Sequence, residues 1–313
     1  MNLVWQFFRL SSPLYGLVAA GYVIASLPWW RTEWSRRVSG LVFAIALPAL
    51  LFHLMSHQAA SQVIDVRVLG VYFGSCLIVY FIGRTVGASL FKLDGPSRAV
   101  FGLGGIFSNV VLTGLPIAKL TLGAPAVPVV ALILVFNALT LWTLVSLSVE
   151  WSLHGSFSPA GIVKTLASVL RNPIVLSIVL GVVFSRLGLV LPTIVDQGLG
   201  AIGNAAAPAA LVSLGMELAA FPIKQQWAPS AAVCGLKLIV QPLVVWLLAI
   251  AIGLPPVEIR AVVLVASMAI GINVYLMSVQ FKTMQGTIAS SIVLSNLFAA
   301  FTTPLILAAL HAS

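Results

Sequence analysis

Two polar interruptions of otherwise apolar sequence carry the groups best suited to chemistry. The first reads Gly105-Ile106-Phe107-Ser108-Asn109-Val110-Val111-Leu112-Thr113-Gly114-Leu115-Pro116. The second reads Ser267-Met268-Ala269-Ile270-Gly271-Ile272-Asn273-Val274-Tyr275. Each joins an asparagine, whose amide both donates and accepts hydrogen bonds, to a glycine that permits close approach and unusual dihedrals. Pro116 removes a backbone donor and frees a carbonyl. Asn109, Gly114, Pro116, Gly271 and Asn273 therefore make up a candidate binding site for a small polar molecule. The plainer alternative is a proline kink, with Asn109 bonded to a neighbouring helix.

Other polar residues sit within apolar runs. Lys237 could counter a substrate carboxylate, snorkel, or cap carbonyls freed by Pro242. Glu217 either pairs structurally or marks a proton path. Burying either charge in a membrane costs at least a few kcal/mol. Ser108 and Thr113, with Asn109, Asn273 and Gln241, could supply oxygens to a coupling sodium ion, although no acid lies beside them. His53 and His57 share one helix face and could bind metal. No glutamate follows His53 and no third ligand is near in sequence, so ordinary interfacial histidines are the reading and no metal site is assigned. Gly102 and Gly105 are not a phosphate loop, since no Lys-Ser/Thr pair follows. Cys76 and Cys234 read as small buried hydrophobes. With no His/Asp/Glu constellation on neighbouring segments, the sequence gives no basis for an enzyme or a cofactor.

The elements that hold these residues must be membrane helices. Of 313 residues, 60% are hydrophobic, and sixteen basic plus seven acidic residues make 7% charged. A soluble domain carries roughly 25%. This excludes a soluble enzyme, a disordered chain and a disulfide scaffold. The length suits about ten crossings. The apolar runs predict spans at Pro13–Trp30, Val38–Met55, Val68–Ile82, Arg98–Leu120 and Ala126–Leu147. A second set follows at Pro173–Val190, Ala205–Phe221, Ala228–Ile252, Val257–Gln280 and Gly286–Leu310. The segment ahead of the first span reads as a short amphipathic lead-in, not a cleaved signal.

The net charge of +9 comes from single basic residues between spans, so it reports orientation and not a nucleic-acid partner. Arg31, Arg36, Arg37, Arg84, Lys92, Arg98, Lys164, Arg171, Lys224 and Lys282 fall on one side, predicted cytoplasmic. Arg9, Arg67, Lys119, Arg186 and Arg260 fall on the other, which puts both termini outside the cytoplasm. Ser158-Pro159 starts a predicted short interfacial helix in the 151–172 connection. That connection divides a first half, 1–150, from a second, 173–313. Leu47-Pro48-Ala49-Leu50-Leu51 and Ala207-Pro208-Ala209-Ala210-Leu211 match weakly at corresponding places. Two halves of five spans each must enter the membrane in opposite senses, and paired interruptions in such halves point to a transport site.

These residues also carry a family resemblance. Asn109…Gly114-Leu115-Pro116-Ile117 and Gly271-Ile272-Asn273-Val274-Tyr275 resemble the fourth- and ninth-span motifs of the auxin efflux carrier family of membrane transporters. Leu236-Lys237-Leu238-Ile239-Val240-Gln241-Pro242-Leu243 looks like its eighth span, and Arg171-Asn172-Pro173 like the start of its sixth. The resemblance implies an all-α polytopic membrane protein of ten spans in two inverted five-helix repeats. It implies interrupted crossing helices 4 and 9, a homodimer, and secondary transport of a small organic anion, an auxin-like monocarboxylate or a dicarboxylate such as malonate. A sodium-coupled carrier of the bile acid symporter type shares the plan, and a passive channel is a further alternative. Members often have proline near the ninth-span break, where this chain has Ala269. Gly271 alone would then break or merely bend that helix.

Overall fold

A computed structural model describes residues 2–57, 65–154, 173–220 and 227–312. Its helices are α1 (Asn2–Ala25), α2 (Thr32–Ser56), α3 (Arg67–Ser89), α4a (Gly95–Gly104), α4b (Val110–Thr121) and α5 (Val127–His154). They continue with α6 (Pro173–Arg186), α7 (Thr193–Leu218), α8 (Trp227–Ile252), α9a (Pro256–Ser267), α9b (Asn273–Gln280) and α10 (Gln285–Ala312). Among the described residues the only strand-like pairing is one antiparallel bridge, Ser108 with Ile270. α2, α3, α7, α8 and most of α10 are each long and apolar enough to cross a bilayer. Leucines, valines and isoleucines stand exposed along α6 (Leu176, Val179, Leu180, Val183) and α8 (Leu243, Leu247, Ile250). Faces of that kind suit lipid and not water. The chain is a polytopic membrane protein, all-helical over its described residues.

Prolines shape three of these helices in one way. Pro48, Pro116 and Pro242 each follow a five-residue π turn, at Val42–Ala46, Val110–Gly114 and Leu236–Val240. A proline ring clashes with the carbonyl four residues back. The wider turn relieves that clash by moving one bond to i→i+5: Leu47 N–H donates to Val42, Leu115 to Val110 and Gln241 to Leu236.

α1 lies along α7, α2 packs on both α6 and α7, α3 packs on α4a and α8, and α8 packs on α9a and α10. The α1–α7 contact is backbone to backbone. A Cβ added to Gly21 would fall 2.0 Å from the Val212 oxygen, and one added to Gly215 would fall 1.9 Å from the Val18 oxygen. Only glycine permits that approach.

Several boundaries differ from expectation. α1 is one helix from Asn2, not a lead-in joined to a span, and it stops at Ala25 because Pro28 disfavours helix at the preceding residue. Trp29, Trp30 and Trp34 then cluster, with ring centroids 5.3–6.5 Å apart. α6 ends at Arg186, before Gly188 turns the chain at φ 66°. α7 starts at Thr193, twelve residues ahead of the predicted Ala205. Its first turns carry Asp196, Gln197, Gly198 and Gly200, which lower the local hydropathy without preventing a helix. The predicted interfacial helix, with Lys164, Arg171, Asn172, Lys224 and the end of the predicted seventh span at Phe221, lies outside the described residues.

Candidate functional site

The fourth and ninth segments are both interrupted, and the interruptions pair. Asn109 N–H donates to the Ala269 carbonyl and Gly271 N–H to the Phe107 carbonyl, each at 2.9 Å. Ile270 N–H reaches the Ser295 hydroxyl at 3.1 Å. Backbone freed by breaking two helices at membrane depth is thus satisfied within the protein, as a bilayer demands. A Cβ on Gly271 would sit 3.0 Å from the Phe107 ring and 3.2 Å from the Ser108 oxygen, so glycine is what lets the two segments meet. Ala269 offers its carbonyl to the bridge, and the ninth helix breaks without a proline there.

Each half-helix begins at the crossing. Asn109 caps α4b: its Oδ1 accepts from Leu112 N–H at 3.3 Å, and its carbonyl accepts from the Thr113 hydroxyl at 2.6 Å. α9b begins at Asn273. The opposite ends are met from α8. The Lys237 ammonium donates to the Ala266 carbonyl in the last turn of α9a. Gln241 Nε2 donates at 2.9 Å to the Ile106 carbonyl just beyond α4a, and lies 3.4 Å from Cys76 Sγ. Tyr72 on α3 donates its hydroxyl to Ser108 Oγ at 3.2 Å.

A cavity of 140 Å³ opens beside the crossing. Ser108, Asn109, Gly271 and Asn273 line it together with Phe43, Phe107 and Asn137. Asn109 and Asn137 are 6% and 5% exposed, and Asn109 Nδ2 and Asn137 Oδ1 have no hydrogen-bond partner. Leaving such buried groups unpaired costs roughly 1–3 kcal/mol each, a cost a polar occupant would remove. The two half-helix N-termini at the cavity each present about half a positive charge. No charged residue is among those that line it. The arrangement can receive a small anion through backbone N–H groups and amides, with no lysine or arginine in the wall.

The sequence candidates therefore separate. Asn109, Ser108, Gly271 and Asn273 reach the cavity. Thr113, Gly114 and Pro116 are buried in the turn behind it. Lys237 and Gln241 cap half-helix carbonyls and do not line it. Glu217, on α7, faces Ser39 and has one carboxyl oxygen without a partner. Asn137 on α5 escaped notice. Its one signal was an amide alone in a long apolar run.

A family model described as "Membrane transport protein" matches residues 9–155 and 160–307. A protein of Rhizobium meliloti (strain 1021) named "Putative malonate transporter" is 26% identical over 293 residues, which is 93% of this chain and 91% of that protein.

Proposed function

The chain belongs to this membrane transport protein family, of the auxin efflux carrier type, and we propose that it carries a small organic anion, with a dicarboxylate such as malonate as the leading substrate. Family membership makes it a transporter and not an enzyme. The observation that carries the anion reading is the cavity at the paired breaks, where two helix N-termini converge beside the unpartnered Asn109 Nδ2 and the unpartnered Asn137 Oδ1. Its volume is well below the roughly 300–1,000 Å³ of drug-sized sites, which favours a compact acid. Malonate is suggested by the name of the Rhizobium relative.

Reciprocal packing supports two inverted repeats, the arrangement that alternating access would use. Pro13 and Pro173, Gly21 and Gly181, and Pro48 and Pro208 are each 160 residues apart. Gly21 on α1 abuts the Val212 carbonyl on α7, and Gly181 on α6 abuts the Phe52 carbonyl on α2. Phe52 and Val212 are again 160 apart. Five segments per half would then enter the bilayer in opposite senses, with the site near the midplane. The arginines at the start of α2 and end of α3 favour a cytoplasmic position for those ends, with both termini outside.

The test is uptake of labelled malonate by purified protein in liposomes, with proton and sodium gradients imposed separately to identify a coupling ion. Saturable uptake that is lost in an Asn109→Ala, Asn273→Ala double variant is expected. Undiminished uptake in that variant would remove the site assignment.

A further inference from the structure

We propose that His53, His57 and Asp196 form a zinc site that ties the end of α2 to the start of α7. His53 and His57 stand one helical turn apart, with ring centroids 4.6 Å apart. The Nε2 atoms of both lie 3.1 Å from a single oxygen, Asp196 Oδ1. The ligand atoms of all three residues fall within 4.8 Å of one another. The third group missing from the local sequence is thus supplied by the early turns of α7.

The hydrogen-bond geometry suits a bound cation as well as a protonated pair. His57 Nδ1 lies 2.8 Å from the His53 carbonyl oxygen. That oxygen can only accept, so Nδ1 carries the hydrogen and the Nε2 lone pair faces the carboxylate. Two acceptors at 3.1 Å need a cation, or an added proton, between them. A backbone carbonyl holding the far nitrogen is also how metal-bound imidazoles are oriented. Zinc bonds of about 2.0–2.2 Å in a tetrahedron set ligand atoms roughly 3.3 Å apart, close to the two nitrogen–oxygen distances of 3.1 Å here. Two imidazoles exclude magnesium and calcium, which take oxygen ligands, and suit zinc or a neighbouring transition ion. Side-chain exposures of 24%, 52% and 35% for His53, His57 and Asp196 leave the rim of the site open to solvent, while the Asp196 Oδ1 atom at its centre is buried without a hydrogen-bond partner. Water would complete the coordination. The residues lining the transport cavity include none of the three, so the ion would staple α2 to α7 without touching substrate.

The experiment uses full-length protein purified without a polyhistidine tag and stripped with chelator, then titrated with zinc chloride. One zinc per chain is expected, with a saturable rise in melting temperature that magnesium does not give. Cobalt should give the visible absorption of a tetrahedral nitrogen–oxygen site in the unmodified protein. Asp196→Asn and His57→Gln should each weaken binding by at least about tenfold, while malonate uptake without metal stays unchanged. Absence of zinc binding to the stripped wild-type protein at micromolar concentration would overturn the proposal. So would equal zinc binding by a His53→Gln, His57→Gln, Asp196→Asn triple variant.

Discussion

Lys237 spends its ammonium on the carbonyl of Ala266, the penultimate residue of α9a. Four residues along α8, Gln241 does the same for Ile106, beyond α4a. One helix thereby satisfies the negative ends of both broken helices and leaves their partners' positive ends to the cavity. Lys237 is fully buried, its Nζ is held by the α9a terminus, and it is not among the residues that line the cavity. Lys237→Met should leave the Ala266 carbonyl unpaired, at a cost of about 1–3 kcal/mol. In liposomes its maximal uptake rate should fall while KM for malonate stays nearly constant, the pattern of a positioning role. A large rise in KM would instead mean direct contact with the anion.

Asn137 should behave differently. It lines the cavity from α5 with its amide oxygen unpartnered, and rotating the amide would present its NH2 donor to an anion in that oxygen's place. Asn137→Leu removes a hydrogen bond to a charged ligand, worth about 1.5–3 kcal/mol. Malonate KM should rise by about ten- to hundredfold, with melting temperature held or raised because an orphaned polar group has gone. Unchanged KM would take Asn137 out of the site.

The contrast between Lys237 and Asn137 marks where sequence reading stops. The helix breaks were legible because Asn109, Gly114 and Gly271 are chemically odd in apolar runs. What those breaks pair with was not, since the Asn109–Ala269 bond joins residues 160 positions apart in sequence. Lys237 was legible as an intramembrane charge, but its partner is a carbonyl, which no side-chain pattern reveals. The start of α7 was lost because polarity in its first turns imitates a loop, and Asp196 was lost with it. Hydropathy measures affinity for lipid, and a helix whose first turns lie against His53 has no need of it there.

Asp94 gives a pH-dependent contribution outside the spans. It caps α4a by accepting from Ser97 N–H at 3.0 Å, and the bonds from Ser97 hold its carboxyl below the usual range. A depressed folded-state value means the stabilisation is present above the unfolded pKa and is lost as pH falls through the folded one. Asp94→Ala should therefore cost about 1 kcal/mol at neutral pH and progressively less on acidification below about pH 4. Melting temperatures of both proteins across that interval check the sign. A difference that persists undiminished at low pH would mean that the cap does not act through its charge.

The α1–α7 seam makes the strictest demand on residue size. A methyl carbon added at Gly21 or Gly215 would stand only 2.0 or 1.9 Å from a backbone oxygen of the opposing helix. Neither oxygen can rotate aside as a side chain would. Gly215→Ala must push the helices apart, with a penalty at or above the usual range of about 1–3 kcal/mol for overpacking. Gly16→Ala is the internal control: it lies on α1 with nothing within 4 Å of the added carbon. There the gain in helix propensity, up to about 1 kcal/mol, should appear unopposed. Opposite shifts in melting temperature are therefore expected from the same chemical change. If α1, α2, α6 and α7 act as a fixed frame, Gly215→Ala should also slow malonate uptake at temperatures where the variant remains folded. Equal shifts for Gly16→Ala and Gly215→Ala would show that the seam is not closed in the membrane.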